Sequence, residues 1–399
     1  MNNQNIAAMG QEYVMNTYGR QNFALERGKG SFVWDADGSR YLDLVAGIAV
    51  NNVGHCHPRV VDAIRRQADK LIHCSNLYWI ENQVRLAKLI ADHSCGEKVF
   101  FCNSGAEANE GAIKLARKWA LKKYGHVRPG IISAVNSFHG RTFGALTATG
   151  QKKYQKDFNP LTPGFKHVNY NDIQALRDAA DDTVAAVLLE TLQGEGGVVP
   201  AAREYMSGVK ALCEERGMLL IIDEVQTGLG RTGKLFGYEH YAIEPDVFTL
   251  AKGLGGGFPI GALVARGEAA AAFEPGDHAS TFGGNPLATA AGEAALSVIL
   301  DENLSGAAEE KGNYIRKKLA RMKEKYPVIQ DIRVWGLMVG IQLSVEGQAI
   351  VNRCLADFVI INCIQGNVLR LVPPLTISYE EIDQALAVIE KAVALEKTV

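Results

Sequence analysis

No stretch of this 399-residue chain is long and apolar enough to span a bilayer; the longest hydrophobic runs are strand-sized. Charge of either sign is not in excess, since 42 Lys plus Arg against 44 Asp plus Glu leave a net charge of −2. That balance carries no electrostatic footprint for nucleic acid or for an anionic membrane. Cysteine is sparse: seven residues, an odd number, with no C-x-x-C spacing. They read as reduced, mostly buried thiols of a cytoplasmic protein. The opening Met1–Met9 lacks a basic region ahead of a long apolar core, so no secretory leader is expected. Repeats and low-complexity segments are missing as well.

What is present is an alternation of helix and strand, at a length that suggests two or three domains. Residues 30–50 hold a short β excursion, with a turn inside Ser31-Phe-Val-Trp-Asp-Ala-Asp-Gly38. Helical periodicity marks 58–72, 80–93 and 105–124; Ser104 suits an N-cap, with Glu107 at capping-box spacing. Strand-like runs lie at 99–102, 131–135, 184–190, 218–223, 246–251 and 260–265. Short unalternating apolar runs between helices predict an α/β fold with a mostly parallel sheet buried on both faces. After Phe282-Gly-Gly-Asn-Pro286 come helices at 286–300 and 303–326, the run Val334–Leu343, a β segment near 368–372 and a helix at 379–396. That order predicts a smaller α+β domain over 291–399, joined by the N-terminal segment 1–55, beside a large domain over 56–290.

The chemistry centres on Lys252, which ends an apolar run and precedes four glycines within five positions. Burying a charged amine is costly, yet the same desolvation lowers its pKa and makes it nucleophilic. Upstream, Leu219-Leu-Ile-Ile delivers Asp223 at a strand end. A strand-end acid plus a strand-end lysine suits an aldehyde cofactor with a basic ring nitrogen; alternatively Asp223 caps the next turn. Asn103-Ser-Gly-Ala-Glu107 joins a strand to a helix and could hold a phosphate, or be an ordinary capped start. Phe138 could cover a ring and Arg141 bind a carboxylate, or they are a core aromatic and a solvated cation. Arg370 is either a second carboxylate ligand or a surface arginine. Two decoys are set aside. Gly228-Leu-Gly-Arg-Thr-Gly233 has dinucleotide spacing but starts four residues past its strand, opens no convincing helix and lacks the later acid. His55-Cys56-His57 near His73-Cys74 lacks a matching later cluster and reads as a turn, so no metal is expected.

Eight segments together resemble the class III aminotransferases, with the greatest likeness to the acetylornithine aminotransferases. They are Tyr41–Pro58, Asn103–Asn109, Ser137–Phe143, Gln193–Gly197, Ile221–Gly233, Ala251–Gly257, Ser280–Pro286 and Gly366–Leu375, and the resemblance runs from about 20 to 390. It implies the type I fold of pyridoxal 5′-phosphate enzymes, the cofactor lying in the large domain. It also implies transfer of the δ-amino group of N2-acetylornithine to 2-oxoglutarate, as in arginine biosynthesis. Lys252 would hold the cofactor covalently and Asp223 would pair with its ring nitrogen. Val225 and Gln226 would lie against the ring and its hydroxyl, with Phe138 on the other face. Ser104, Gly105 and Ala106 would cradle the phosphate, joined by Thr281 from a second subunit of a homodimer. Arg141 and Ser280 would contact substrate, Arg370 would bind the oxo-acid's α-carboxylate, and Glu195 would gate Arg370. Rival donors are succinylornithine, ornithine, succinyldiaminopimelate and 4-aminobutyrate; a nicotinamide-dependent oxidoreductase is a distant alternative. Two departures touch the pocket wall: Thr191 stands where the family usually has proline after Glu190, and Ala279 replaces a common glycine.

Overall fold

The computed structural model describes residues 1–396. Its centre is a seven-stranded sheet in the order Lys98–Cys102, Gly261–Ala265, Val247–Leu250, Leu219–Asp223, Val184–Leu189, Gly130–Ala134, Phe165–Val168. Every residue of the strands Val184–Leu189, Leu219–Asp223, Val247–Leu250 and Gly261–Ala265 is buried. Unbroken apolar runs are what a sheet covered on both faces requires. Gly261–Ala265 runs against both its neighbours, whereas the other pairings are parallel. The cause is the connection that precedes it: residues 251–260 hold only the single 3-10 turn Lys252–Gly255. A parallel crossover needs a dozen residues or more.

The helix Gly105–Tyr124 packs on this sheet through Ala108, Ala112, Ile113, Leu115, Ala116 and Trp119. Its start is local chemistry. Ser104 Oγ accepts the Glu107 N–H at 3.2 Å, while the Glu107 carboxylate accepts the Asn103 N–H at 2.7 Å. The acid thus reaches one residue beyond the N-cap, a variant of the expected box. Gly125, at φ 72°, ends the helix in the left-handed conformation that glycine adopts at least cost.

Beyond the helices Pro286–Asp301 and Leu304–Lys325, an antiparallel sheet runs Ile329–Trp335, Met338–Leu343, Val368–Leu371, Asn362–Ile364. The run at 334–343 is therefore a hairpin, turned at Gly336 with φ 50°. A third sheet joins both ends of the chain: Leu25–Lys29, Phe32–Asp35 and Arg40–Asp43 pair antiparallel, and Val359–Ile360 adds in parallel to Arg40–Asp43. Among the described residues no helix is long and apolar enough to cross a membrane.

The glycine-rich stretch 228–233 forms turns and opens no helix. Its Arg231 is instead fully buried and donates to Leu337 O at 3.0 Å, Pro373 O at 2.6 Å and Asn52 Oδ1 at 2.7 Å. It stitches the central sheet's loops to the later antiparallel layer. His55 Nε2 pairs with Asp43 Oδ2 at 2.8 Å, and the His73 ring packs 4.9 Å from Phe282. Among the described residues no group of three or more His, Cys, Asp or Glu is placed to hold a metal ion.

Arg231→Ala strands three buried acceptors, so we expect a loss of about 3 kcal/mol. For a chain of this size that lowers the thermal midpoint by roughly 3–4 °C, as calorimetry of the purified protein would show.

Candidate active site

The carboxyl ends of the central strands open into a cavity of about 460 Å³. Ser104, Gly105, Ala106, Phe138, Arg141, Glu190, Glu195, Asp223, Val225, Gln226 and Lys252 all line it. This is where open α/β sheets place ligands.

Asp223 ends its strand only 4% exposed, and a carboxylate so placed must be partnered. Oδ2 accepts from Asn109 Nδ2 at 2.8 Å and lies 2.8 Å from His139 Nδ1, while Oδ1 accepts the Val225 N–H at 3.0 Å. Asn109 is held in turn, donating to His139 O at 2.7 Å and accepting from Thr249 Oγ1 at 2.9 Å. Three elements thus fix one acid.

Lys252 follows the strand Val247–Leu250 and sits at φ 45°, a left-handed conformation unfavourable for a side chain with a Cβ. Such strain clusters at sites where a group must point in one direction. Burial pushes the lysine's pKa down; the charge of Glu195 opposes this, and that of Arg370 adds to it. The amine is therefore held closer to its neutral, nucleophilic form.

Arg370, on the strand Val368–Leu371, is 1% exposed and forms an ion pair with Glu195 Oε1. Burial alone would raise the Glu195 pKa, but the charge and hydrogen bond of Arg370 outweigh it and hold the acid ionised. Arg141 lies with its guanidinium 3.9 Å from the Tyr154 ring centroid and 5.6 Å from that of Phe138. Phe138 meets Tyr154 edge-on at 5.8 Å.

The pocket leaves polar groups unmatched and backbone bare. Both amide atoms of Gln226, and His139 Nε2, are buried without a partner. A Cβ on Gly105 would lie 2.7 Å from Val225 Cγ1, so only glycine brings the helix start this close. The first N–H groups of a helix have no acceptor within it and favour an anion. These features fit pyridoxal 5′-phosphate: helix N–H groups for the phosphate, an acid for the ring nitrogen, an amide for the hydroxyl, and a buried amine for the aldehyde.

Ser280 and Thr281 are not brought to the cavity. They line a separate groove with Leu77, Tyr78 and Trp79, although Ser280 Oγ lies 3.3 Å from Asn103 Nδ2. Conversely, Asn109, His139, Thr249 and Glu190 were not singled out by sequence. Asn109 stands four residues after Gly105, on the same helix face. Leu189 pairs in parallel register with Ile222, so Glu190 emerges beside Asp223 just as Asp223 ends its own strand.

The fold and this pocket define a pyridoxal-phosphate-dependent enzyme. The profile of the family Aminotransferase class-III matches residues 13–393. An acetylornithine aminotransferase of Caldanaerobacter subterraneus subsp. tengcongensis is 58% identical over 95% of this chain and 96% of its own. Among solved structures, the acetylornithine aminotransferase of Elizabethkingia anophelis superposes with a TM-score of 0.89 at 34% identity, covering 99% of both chains. The ornithine aminotransferase of Toxoplasma gondii, described with partial occupancy of PLP at its active site, gives a TM-score of 0.93 at 36% identity over 97% of this chain and 93% of that one. The chain belongs to the class III aminotransferases, and its cofactor is pyridoxal 5′-phosphate.

Lys252→Ala is expected to keep the fold and to bind the cofactor without a covalent link, while turnover drops by several orders of magnitude. Absorbance of the bound cofactor, with a coupled assay for glutamate, checks both parts.

Proposed function

We propose that this enzyme moves the δ-amino group of N2-acetylornithine to 2-oxoglutarate, giving N-acetylglutamate 5-semialdehyde and glutamate, the transfer used in arginine biosynthesis. The ion pair between Glu195, which lines the cavity with Lys252, and the buried Arg370 behind it carries this reading. A short diacid needs an arginine for its α-carboxylate; a donor reacting through its δ-amine needs that arginine neutralised. One ion pair that closes and opens meets both demands. The 58% identity to an acetylornithine aminotransferase over nearly the whole chain supports the choice of donor.

The cofactor, when bound, supplies an aldehyde that accepts amino groups and a ring that withdraws electrons from the reacting carbon. The chain's residues do the rest. Lys252 Nζ takes a proton from the amine-bearing carbon of the donor, and in the second half-reaction returns one to the oxo-acid carbon. Asp223, locked by Asn109 and His139, would keep the ring nitrogen protonated. Gly105 and Ala106, with Ser104, would hold the phosphate; Val225 and Phe138 would hold the ring between them, and Gln226 would bind its hydroxyl. Arg141 would bind the carboxylate remote from the chemistry. Amino donor and oxo-acid take turns in one pocket, which makes the kinetics ping-pong.

On this reading 56–290 is the cofactor-binding unit, and 1–55 with 291–399 the smaller unit that supplies Arg370. Ser280 and Thr281 would serve the site of a second copy of the chain. Their groove borders Leu77, Tyr78 and Trp79, exposed by 84%, 72% and 90%, an apolar surface suited to burial in a homodimer. A cytoplasmic location rests on the seven unpaired thiols.

Purified enzyme offered N2-acetylornithine, succinylornithine, ornithine, succinyldiaminopimelate and 4-aminobutyrate with 2-oxoglutarate should show its highest kcat/KM for N2-acetylornithine; a clear preference for another donor would replace the assignment. Sedimentation should give about twice the 43.2 kDa chain mass, and a monomer carrying full activity would remove the shared-site role of Thr281.

A further inference from the structure

Glu190 has no part in the transfer described above, yet it is a carboxyl 7% exposed on the wall of the reaction cavity. A carboxyl so placed is costly unless it is held by hydrogen bonds. Its two oxygens are held by two different loops. Oε2 accepts the Phe138 N–H at 3.2 Å, and Oε1 accepts the Gly194 N–H at 3.3 Å. The main chain of Glu190 is pinned as well, its carbonyl accepting from Tyr170 Oη at 2.7 Å. Burial pushes the Glu190 pKa well up and the nearby charge of Asp223 adds to it; the two N–H groups work the other way.

The two loops matter for different reasons. Phe138 is one of the aromatic side chains on the cavity wall and the one assigned to the cofactor ring. Gly194 immediately precedes Glu195, and Gly196 and Gly197 (φ 115°) follow it, so the gate residue sits between glycines with little intrinsic stiffness. A Cβ at Gly194 would fall 1.7 Å from Gln226 Oε1, so a side chain there would have to push aside the amide assigned to the cofactor's hydroxyl. The Gly194 N–H bond to Glu190 is therefore an anchor one residue away from the acid that pairs with Arg370.

We propose that Glu190 is a positioning residue that clamps the Phe138 loop to the gate loop, setting how readily Glu195 stays on Arg370 and so which donors the enzyme prefers. The inference rests on the gate role of Glu195 given above. Loosening the clamp frees Arg370 for α-carboxylates, so the preference moves away from N2-acetylornithine and towards glutamate.

The test compares kcat/KM for N2-acetylornithine and for glutamate as donors in holoenzyme carrying Glu190→Gln, Glu190→Ala or Glu195→Ala. Glu190→Gln keeps the size of the side chain but only one acceptor, so the ratio of the two values should fall about tenfold, as for the loss of one buried hydrogen bond. It should fall further in Glu190→Ala and Glu195→Ala, with the absorbance of bound cofactor retained in all three. If Glu195→Ala shifts the ratio and neither Glu190 variant does, the clamp is wrong and the gate survives. If Glu195→Ala leaves the ratio unchanged, the gate itself fails and the clamp with it. Equal losses on both donors in the Glu190 variants would mean a general packing role and also overturn the proposal. Should Glu190→Ala not fold, the isosteric Glu190→Gln decides the matter alone.

Discussion

The carboxylate of Asp223 is fixed by the sheet behind it and by three donors around it, and the remaining architecture follows from that arrangement. A strand buried at every position can end in a charge only where other elements supply hydrogen bonds. Here the donors are Asn109 from the helix Gly105–Tyr124, His139 from the loop after Gly130–Ala134, and the Val225 N–H from its own turn. Each donor brings something else with it. Asn109 lies one turn into the helix whose start would hold the phosphate. His139 is the neighbour of Phe138, and Val225 packs against Gly105. Satisfying one buried acid thus gathers the walls of the pocket.

A second constraint governs the other side of the cavity. Arg370 comes from the antiparallel sheet near the end of the chain, and Glu195 from a loop of the central sheet. Their ion pair bridges two layers, so specificity depends on how these layers are held together. Arg231 does much of that holding through Leu337, Pro373 and Asn52, in the stretch whose glycine spacing imitates a dinucleotide motif. Its glycines serve tight turns around a buried guanidinium, which explains why the motif's letters occur without its helix.

Much of the fold was legible in the chain. The helix 105–124 matches the observed Gly105–Tyr124 at both ends because Ser104, Glu107 and Gly125 are local signals. Strand runs at 184–190 and 218–223 match Val184–Leu189 and Leu219–Asp223 within a residue, since unbroken apolar runs have few other uses at that length. Less regular elements were passed over. Phe165–Val168 is a half-exposed edge strand with Lys and His inside it, and Arg203–Arg216 is a helix whose buried Tyr, Met, Val, Leu and Cys sit among six charged residues. The direction of Gly261–Ala265 was not readable either, because it depends on the length of a connection rather than on the strand itself.

Residue order by itself determined the chemical inventory: a lysine and an acid at strand ends, a glycine and small residues at a helix start, an arginine near a Pro-Pro pair. These are local patterns, and local patterns survive in one dimension. Only the tertiary structure decided which of them meet. It brought Arg370 onto Glu195 across 175 positions and placed Glu190 beside Asp223, while it kept Ser280 and Thr281 out of the cavity of their own chain. The physical reason is that desolvation and ion pairing depend on what lies within a few ångströms in space, and sequence separation says little about that.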